Sequence, residues 1–465
     1  MKILRHATLV FWAAGLPLAA CAQAPALTTF PVGTTTVTAS ALATNLNTVW
    51  ELVWGPDNFL WMTERFGRIS RVNPATGQVL PLLTLPDVTP TGESGLLGLA
   101  LHPQFATSPY VYVVYNYTDA GALKEKLVRY TYSATAGTLT APLVLLGGID
   151  ATTSHSGSRL LVLADGTLLM STGDAQLQPQ AQNTAALNGK ILRLNLDGSM
   201  PANNPITGNP VYTFGHRNPQ GLVHLPNGRI YSSEHGPNND DEINKIEAGR
   251  NYGWPNVEGY CDLPAEATFC TANNVREPLT TWTPTIAPAG ITYYDHPAIP
   301  GWRGSLPLVV LKDHKLTQLT LDAAGLTIPS RTDFLTAFGR LRAICVSPQG
   351  KVYIGTSNQD GRGTPSATDD QILVLENRAY VASATRAAAA FSFDLFPNPA
   401  RRQATVQLPA PNVRLTVRDL LGRPVLTVRP ASTTATLDLS ALRSGSYLVQ
   451  ADGPTGTATR KLVVE

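Results

Sequence analysis

The chain has 465 residues, more than one compact core usually holds, so two folded units are expected. Charged residues make up 15% of it and the net charge is +2, which argues against a nucleic-acid-binding protein, because such proteins carry a basic surplus or stripe. The 38 glycines and 36 prolines, with many Val, Thr and Leu residues, predict short strands joined by many turns.

Residues 1–24 are predicted to be an export signal peptide, with a basic start, an apolar stretch and small residues near a cleavage point. Two cleavages compete. The sequence "AQA" at 22–24 fits an ordinary signal peptidase, whereas "LAAC" at 18–21 resembles a lipobox, which would leave Cys21 acylated. Plain export is the preferred interpretation. Either route takes the mature protein to the periplasm and then to the cell surface or the exterior.

Export would also permit disulfide bonds. Cys261 and Cys270 are close in sequence and could pair. Cys345 lies in an apolar, strand-like run and is expected to be a small buried hydrophobe.

Between residues 25 and 377 one pattern recurs, a polar turn with Gly or Asn followed by an alternating apolar strand. Clear copies are "GPDNFLWMTE", "LADGTLLMSTGD", "LPNGRIYSSEHG" and "SPQGKVYIGTSN", and weaker ones are "TSPYVYVVYNY" and "GWRGSLPLVVLKD". Six units about 50 residues apart imply a radial repeat, because one small antiparallel sheet cannot bury both of its faces alone. The sequence therefore predicts an all-β fold with a six-bladed β-propeller, whose functional site lies where loops converge at one end of the axis.

After a small-residue linker at 378–390, residues 391–465 form a second region of short alternating strands. Pro and Gly turns between these strands predict a small Ig-like β-sandwich. The motifs "LFPNPA", "VRDLLGRPV", "LDLSALRSGSYLVQ" and the terminal "RKLVVE" resemble the type A sorting domain of the type IX secretion system. That resemblance implies the secretion machinery as a partner; a sugar-binding or purely structural sandwich is the alternative.

The propeller region resembles the soluble PQQ-dependent glucose dehydrogenases and the related aldose sugar dehydrogenases. The motifs that carry the resemblance are, in order, "GLLGLALHPQF", "HSGSRL", "GHRNPQG", "GPNNDDEIN", "NYGWPN" and "GRLRA". It implies PQQ (pyrroloquinoline quinone) and Ca²⁺ as cofactors and an aldose sugar as substrate.

PQQ is a planar quinone with three carboxylates, so a site for it needs several cations. Arg340 and Arg342 are two residues apart, which places both on the same side of a strand, and guanidinium groups match carboxylates geometrically. By resemblance, the PQQ-binding residues are Arg217 with its neighbour Asn218, Lys312, Arg340 and Arg342. For any one of these cations, a solvated surface position is the alternative.

A calcium ion that bridges to PQQ is implied at the Gly-Pro turn of "EHGPNNDDEIN". Calcium accepts carbonyl oxygens in flexible geometry, and by resemblance the carbonyls of Gly236 and Pro237 hold it. A second, structural calcium is implied, with the candidate ligands Glu242, Tyr252, Glu258, Tyr260 and Asp262. The alternative for this segment is an Asx-rich turn with solvated acids.

The candidate general base is His155, in "TSHSGSRLLVLADG". Removing a hydride from the anomeric carbon of a sugar requires loss of the hydroxyl proton, and an imidazole can accept a proton near neutral pH. A lone histidine is more often structural, and here the motif match favours catalysis.

Four pocket positions are less well defined. The glucose-specific members carry Gln and Asp where this chain has Glu93 and Ser154, and Glu93 is closer to the aldose sugar dehydrogenase pattern. Both positions are expected at the sugar side of the pocket, which puts glucose itself in doubt. Gln178 is the candidate pocket glutamine. Trp282 is the candidate aromatic over the PQQ plane, with plain propeller core as the alternative.

These features predict an exported quinoprotein that oxidises aldoses to lactones, with His155 as base, Arg217 steadying the developing oxyanion, and an external electron acceptor that the sequence does not identify. Two alternatives are a calcium-dependent lactonase or esterase and a non-catalytic propeller that binds a glycan or a protein. The first needs a metal held by several carboxylates and does not account for Lys312, Arg340 and Arg342. The second predicts that His155 is dispensable.

Overall fold

The computed structural model describes residues 23–381, 393–408, 411–419, 422–453 and 456–465. The chain divides into two compact units, Met1–Tyr380 and Val381–Glu465. Cys21, nearly all of the predicted signal peptide and most of the predicted linker lie outside the described residues. Among those that are described, no helix is long and apolar enough to cross a membrane.

The first unit contains six antiparallel sheets within its described residues. Strands β1 (Thr28–Val32) and β2 (Thr35–Ala43) belong to the sixth sheet. The first sheet consists of β3 (Val49–Trp54), β4 (Leu60–Glu64), β5 (Arg68–Val72) and β6 (Val79–Thr84). The second consists of β7 (Leu96–Leu101), β8 (Tyr110–Asp119), β9 (Ala122–Ser133) and β10 (Thr138–Asp150). The third consists of β11 (Gly157–Val162), β12 (Thr167–Thr172), β13 (Lys190–Asn195) and β14 (Val211–Phe214).

The remaining three sheets follow in chain order. The fourth consists of β15 (Pro219–His224), β16 (Ile230–Glu234), β17 (Asp241–Ile246) and β18 (Thr280–Trp282). The fifth consists of β19 (Pro288–Ile291), β20 (Ser305–Val310), β21 (Lys315–Thr320) and β22 (Ser330–Phe334). The sixth has the order β23 (Leu341–Val346), β24 (Val352–Thr356), β25 (Ile372–Glu376), β2 and β1.

The sheets are arranged as blades around an axis. Their first strands are β3, β7, β11, β15, β19 and β23; each contacts the next, and β23 contacts β3, so the ring closes. Glycine permits the close approach of neighbouring strands: a Cβ at Gly98 on β7 would lie 2.0 Å from the carbonyl oxygen of Ser158 on β11. The prediction of an all-β, six-bladed propeller is confirmed.

The sixth blade is built from both ends of the propeller sequence. β2 pairs with β25 in an antiparallel register that places Ala39 opposite Leu375. Val37 and Ala39 are fully buried in one hydrophobic core with Leu373 and Leu375. The N-terminal strands therefore close the ring.

The second unit consists of two antiparallel sheets in its described part. Its strands are β26 (Asp394–Phe396), β27 (Gln403–Gln407), β28 (Arg414–Arg418), β29 (Pro424–Val428), β30 (Thr434–Asp438), β31 (Gly445–Gly453) and β32 (Gly456–Val464). One sheet has the order β26-β27-β30 and the other β29-β28-β31-β32. Alternate residues point inward, so Val406 and Leu437 of the first sheet share one core with Leu415 and Val449 of the second.

Helical structure is minor. The helix α1 (Pro264–Asn273) and two short 3-10 helices, Gln178–Gln182 and Pro300–Trp302, lie between strands of the propeller. A disulfide bond joins Cys261 to Cys270 on α1, as the sequence suggested, and Cys345 is buried with a free thiol.

Candidate active site

A cavity of about 880 Å³ opens at one end of the propeller axis. The cavity forms at the end of each blade where its innermost strand begins. The second strand of the blade ends at the same place, because the two strands form an antiparallel hairpin. His155, for example, precedes β11, Arg340 precedes β23, and Gly236 follows β16. Loops from different blades therefore supply one set of side chains.

The cavity walls carry a surplus of positive charge. The cationic side chains that line it are Arg65, Arg217, Lys312, Arg340, Arg342 and Arg362. The carboxylates that line it are Glu93, Asp241 and Asp360. Six cations against three carboxylates leave a formal excess of three positive charges.

Arg340 and Arg342 are two of the buried cations in this surplus. Each is 8% exposed, and both contact Asp360 Oδ2, Arg340 through Nε at 2.8 Å and Arg342 through Nη2 at 3.4 Å. The two guanidinium groups hold the pKa of the Asp360 carboxyl below its usual range even though burial opposes this shift. Burial lowers the pKa of Arg342 to about 10, so it stays charged at neutral pH.

Lys312 and Arg217 approach the cavity from other blades. Lys312 Nζ donates to the Thr285 hydroxyl at 2.9 Å. Arg217 Nη1 donates to the carbonyl of His235 at 3.1 Å, while its buried Nε has no hydrogen-bond partner in the described structure. An unpartnered guanidinium N–H beside a cavity indicates that the group is available for an anionic ligand.

His155 is held in a fixed orientation. Its backbone adopts a left-handed conformation, with φ of 58°, which is uncommon for residues other than glycine. Its Nδ1 lies 2.7 Å from Asp174 Oδ1, and the fully buried Asp174 also accepts a hydrogen bond from Trp254 Nε1 at 2.8 Å. Because the carboxylate accepts the Nδ1 proton, Nε2 carries the lone pair.

Glycine makes the approach of these loops possible. A Cβ at Gly173, the residue before Asp174, would lie 1.9 Å from the carbonyl oxygen of His155. Asn218 also holds the loop that carries His155, because its Oδ1 accepts a hydrogen bond from the backbone N–H of Gly157 at 3.1 Å. Asn218 is 1% exposed and is not among the described residues that line the cavity.

Glu93 and Ser154 line the cavity beside His155. Glu93 Oε2 accepts the backbone N–H of His155 at 3.1 Å, and Glu93 Oε1 lies 3.0 Å from Arg362 Nη2. Burial tends to raise the pKa of the Glu93 carboxyl, but this hydrogen bond and the positive charge of Arg362 hold it below its usual range. Glu93 is therefore ionised at neutral pH.

A second imidazole, His235, also lines the cavity. Its Nε2 lies 3.0 Å from the carbonyl oxygen of Pro288, and a carbonyl can only accept, so Nε2 carries the proton. Desolvation, together with the nearby Arg217 and Arg342, lowers the pKa of His235 to about 3, so the ring is neutral.

Gly236 and Pro237 line the cavity where the cofactor calcium is expected. Asp241 holds this turn, since its Oδ1 accepts the Gly236 N–H at 2.8 Å. Burial raises the pKa of Asp241 to about 6. Within the described residues no three His, Cys, Asp or Glu side chains form a metal-binding group, so a metal here would depend on backbone carbonyls.

The candidate ligands of the structural calcium are only partly brought together. Glu242, Tyr252 and Glu258 line a small second pocket of about 20 Å³. Tyr260 and Asp262 are not among the described residues that line it. Both Glu242 oxygens accept N–H groups, and burial raises the pKa of this carboxyl well above its usual range. Tyr260 and Asp262 are exposed.

Two further positions named from the sequence, Gln178 and Trp282, also lie outside the cavity. Gln176, rather than Gln178, lines the cavity, and Gln178 begins a 3-10 helix outside it. Trp282 packs against the core between the fourth and fifth blades, with the Arg331 guanidinium 4.4 Å from its ring centre, so it does not lie over the cavity. The alternative of plain propeller core is the one that the structure favours.

Sequence reasoning also missed four residues of the site. Arg65, Asp360 and Arg362 line the cavity, and Asp174 orients His155. "GRLRA" marked the two arginines but not Asp360, which lies in the loop between β24 and β25 and contacts both of them.

The model of the glucose/sorbosone dehydrogenase family matches residues 46–372, which include strands β3 to β24 and every cavity-lining residue. The chain belongs to this family. The model of the secretion system C-terminal sorting domain matches residues 394–465, which lie in the second unit.

Individual relatives agree with this assignment. Quinoprotein glucose dehydrogenase B of Acinetobacter calcoaceticus is 42% identical over 252 residues, which are 48% of this chain and 53% of that protein, so the chain spans about half the length of that relative. Aldose sugar dehydrogenase YliI of Escherichia coli is 29% identical over 350 residues, 70% of this chain and 91% of that protein. The PQQ-bound structure of an aldose sugar dehydrogenase from Streptomyces coelicolor has a TM-score of 0.65 and 34% identity, and the match covers 74% of this chain and 99% of that one.

Proposed function

We propose that this protein is an exported quinoprotein that oxidises aldose sugars at the anomeric carbon to lactones. The observation that carries the proposal is the meeting, in one cavity, of a three-charge cationic surplus with a histidine whose Nε2 is free to take a proton. Among relatives of the family, two are described as an aldose sugar dehydrogenase and one as a quinoprotein.

The cavity residues fit PQQ. Its three carboxylates would balance the three surplus charges, and the unpartnered Arg217 Nε and the lightly bonded Lys312 ammonium are available to them. Lys312, Arg340 and Arg342, together with Arg217, would bind PQQ. Burying unpaired cations together is unfavourable, so an anionic ligand should also stabilise the fold.

The Gly236–Pro237 turn fits an oxygen-preferring cation, since neither carbonyl oxygen accepts a hydrogen bond from a described residue. These two carbonyls would hold Ca²⁺. When bound, the calcium–PQQ pair supplies the electrophile that accepts the hydride from the sugar.

The chain's own residues carry out the proton transfer. His155 Nε2 takes the proton of the anomeric hydroxyl, while Asp174 holds the Nδ1 proton and stabilises the resulting imidazolium. Arg217 provides positive charge for the oxyanion that develops. Glu93, Ser154 and Gln176 lie on the same side of the cavity as His155 and would bind sugar hydroxyls.

The sorting domain extends the proposal to localisation. Because residues 394–465 match a secretion sorting domain, we propose that the type IX secretion machinery carries the protein to the cell surface or beyond. Electrons would then pass to an external acceptor. Lipid attachment at Cys21 is the less favoured alternative.

The decisive experiment is titration of the purified, metal-free protein with PQQ and Ca²⁺, followed by dye reduction with a panel of mono- and disaccharides. We expect spectral uptake of PQQ that requires calcium, and turnover of at least one aldose to its lactone. His155→Ala should retain PQQ uptake and lose at least about a hundredfold in turnover, because general-base catalysis contributes about 10² to 10⁴. No uptake of PQQ, or uptake without oxidation of any sugar, would exclude the proposed activity.

A further inference from the structure

Two oppositely charged side chains meet at the rim of the cavity. Arg362 Nη2 lies 3.0 Å from Glu93 Oε1, and both residues line the cavity. Arg362 lies in the loop between β24 and β25, and Glu93 precedes β7, so the pair joins the sixth blade to the second. The Arg362 side chain is 66% exposed and that of Glu93 is 30% exposed, so the pair faces solvent at the entrance.

The two loops are tied together beneath this ion pair. Arg65 Nη1 donates to the carbonyl oxygens of Gly92 and Asp360, one in each loop. Asp360 Oδ1 in turn accepts the backbone N–H of Arg362 at 2.9 Å. Because the backbone is held on both sides, the fold sets the separation of the Glu93 carboxylate and the Arg362 guanidinium.

This arrangement does not serve stability. An ion pair that one exposed and one half-buried side chain form at a solvent-facing rim contributes little to the free energy of unfolding. Both groups keep unused hydrogen-bonding capacity, because a carboxylate has about four acceptor sites and a guanidinium has five N–H donors. Glu93 uses one oxygen for the His155 backbone, and Arg362 contacts only Glu93 through its side chain in the described structure.

We propose that the Glu93–Arg362 pair binds a vicinal diol of the aldose and thereby determines specificity, an inference that rests on the proposed function. A sugar hydroxyl both donates and accepts a hydrogen bond. Glu93 accepts from one hydroxyl and Arg362 donates to its neighbour. The 3.0 Å between Glu93 Oε1 and Arg362 Nη2 suits two hydroxyl oxygens on adjacent carbons.

The chemistry predicts which sugars are rejected. An analogue that lacks one hydroxyl of the diol loses a hydrogen bond to the Glu93 carboxylate or to the Arg362 guanidinium, and sites built to bind a hydroxyl discriminate against such analogues. An aldose with both hydroxyls should therefore be preferred over its deoxy analogue at either of the two carbons.

The test compares kcat/KM for the best aldose and for each of its single-deoxy analogues, in the calcium- and PQQ-loaded protein and in Arg362→Met. Methionine keeps an unbranched side chain and removes the donors. For the wild type we expect kcat/KM to fall about tenfold or more for the two analogues that lack a hydroxyl at one of two adjacent carbons, because each loses a hydrogen bond to a charged group. In Arg362→Met that ratio should fall to about threefold or less, mainly because KM for the parent sugar rises. Arg362→Lys should restore part of the ratio.

Arg303→Met is the matched control. Arg303 is also exposed, at 55%, and forms an ion pair with Asp295 at 3.2 Å, but it is not among the described residues of the cavity. Its discrimination ratios and its PQQ uptake should equal those of the wild type. Unchanged ratios in Arg362→Met, or a wild type that accepts all deoxy analogues equally, would overturn this inference and leave the proposed function standing. A protein that oxidises no aldose would overturn both.

Discussion

His155 and Asp174 lie 19 residues apart, yet they act as one unit because of the hairpin between them. Strands β11 and β12 pair so that Gly157 lies opposite Thr172, which brings the residues flanking the hairpin's open end together. The motif "TSHSGSRL" singled out His155 as a candidate through its match to the family's motif. Asp174 in "STGDAQ" could not be paired with it without knowledge of the register. A sequence reader could find such partners by asking which acids follow the second strand of the same hairpin.

This pairing predicts a large effect of Asp174→Asn. An amide that turns its nitrogen toward Nδ1 stabilises the tautomer with the proton on Nε2, and that tautomer cannot accept the sugar's proton. We expect turnover to fall about a hundredfold or more while PQQ uptake is retained, measured by dye reduction and spectral titration. Asp150→Asn, at an acid that is 52% exposed and paired with Lys124, is the control and should keep its activity. Normal turnover in Asp174→Asn would show that His155 needs no orienting carboxylate.

At the scale of elements, the strands followed from alternation in the sequence, but the loops that carry the site did not. The loop between β12 and β13 is the clearest case, because Ala175 and Gln176 both have left-handed backbones, which their residue types do not favour. The loop is held from β13 by Lys190, whose buried ammonium donates to the carbonyls of Gln180, Ala181 and Asn188. These contacts, with the left-handed backbones, fix the shape of the loop in which Gln176, not Gln178, lines the cavity.

A buried acid on β9 makes a pH-dependent prediction. Glu125 is 2% exposed, accepts a hydrogen bond from Ser158 beneath the His155 loop, and burial raises its pKa to about 8. The unfolded chain loses this proton near its ordinary pKa, so between that pH and 8 the folded state binds more protons. Stability should therefore fall as pH rises through this window.

Glu125→Gln removes that dependence while keeping the shape of the side chain. We expect the free energy of unfolding of the variant to exceed that of the wild type by on the order of a few kcal/mol at pH 8, since one pKa unit corresponds to about 1.4 kcal/mol. Near pH 4.5 the two free energies should differ little. Thermal unfolding at both pH values measures this. Glu247→Gln is the control, since the Lys245 hydrogen bond lowers the pKa of Glu247, and it should give no gain at pH 8. A gain for Glu125→Gln that is equal at both pH values would contradict the explanation.

At the scale of the whole molecule, the repeat in the sequence was enough to predict six blades, because each copy marks one hairpin that needs neighbours on both faces. The strand pairing that closes the ring could not be predicted from the sequence, because β1 and β2 carry no copy of the repeated pattern. Their partner β25 lies at the other end of the propeller sequence, and no local signal reports such pairing. The charge surplus of the cavity was visible only in part, because Arg65 and Arg362 lie in segments whose convergence depends on the closed ring.

The same architecture predicts opposite results for two truncations. The second unit has a hydrophobic core made only of its own residues, so a chain that ends at residue 380 should keep PQQ uptake and sugar oxidation within about twofold. A chain that lacks residues 23–43 loses β1 and β2, and with them Val32, Val37 and Ala39 of the core that closes the ring. Removing several buried side chains together costs more than the usual stability of a domain, since each costs about 2–5 kcal/mol. Calorimetry should therefore show a cooperative transition for the first truncation and none for the second, and equal behaviour of the two would mean that the ring does not depend on its N-terminal strands.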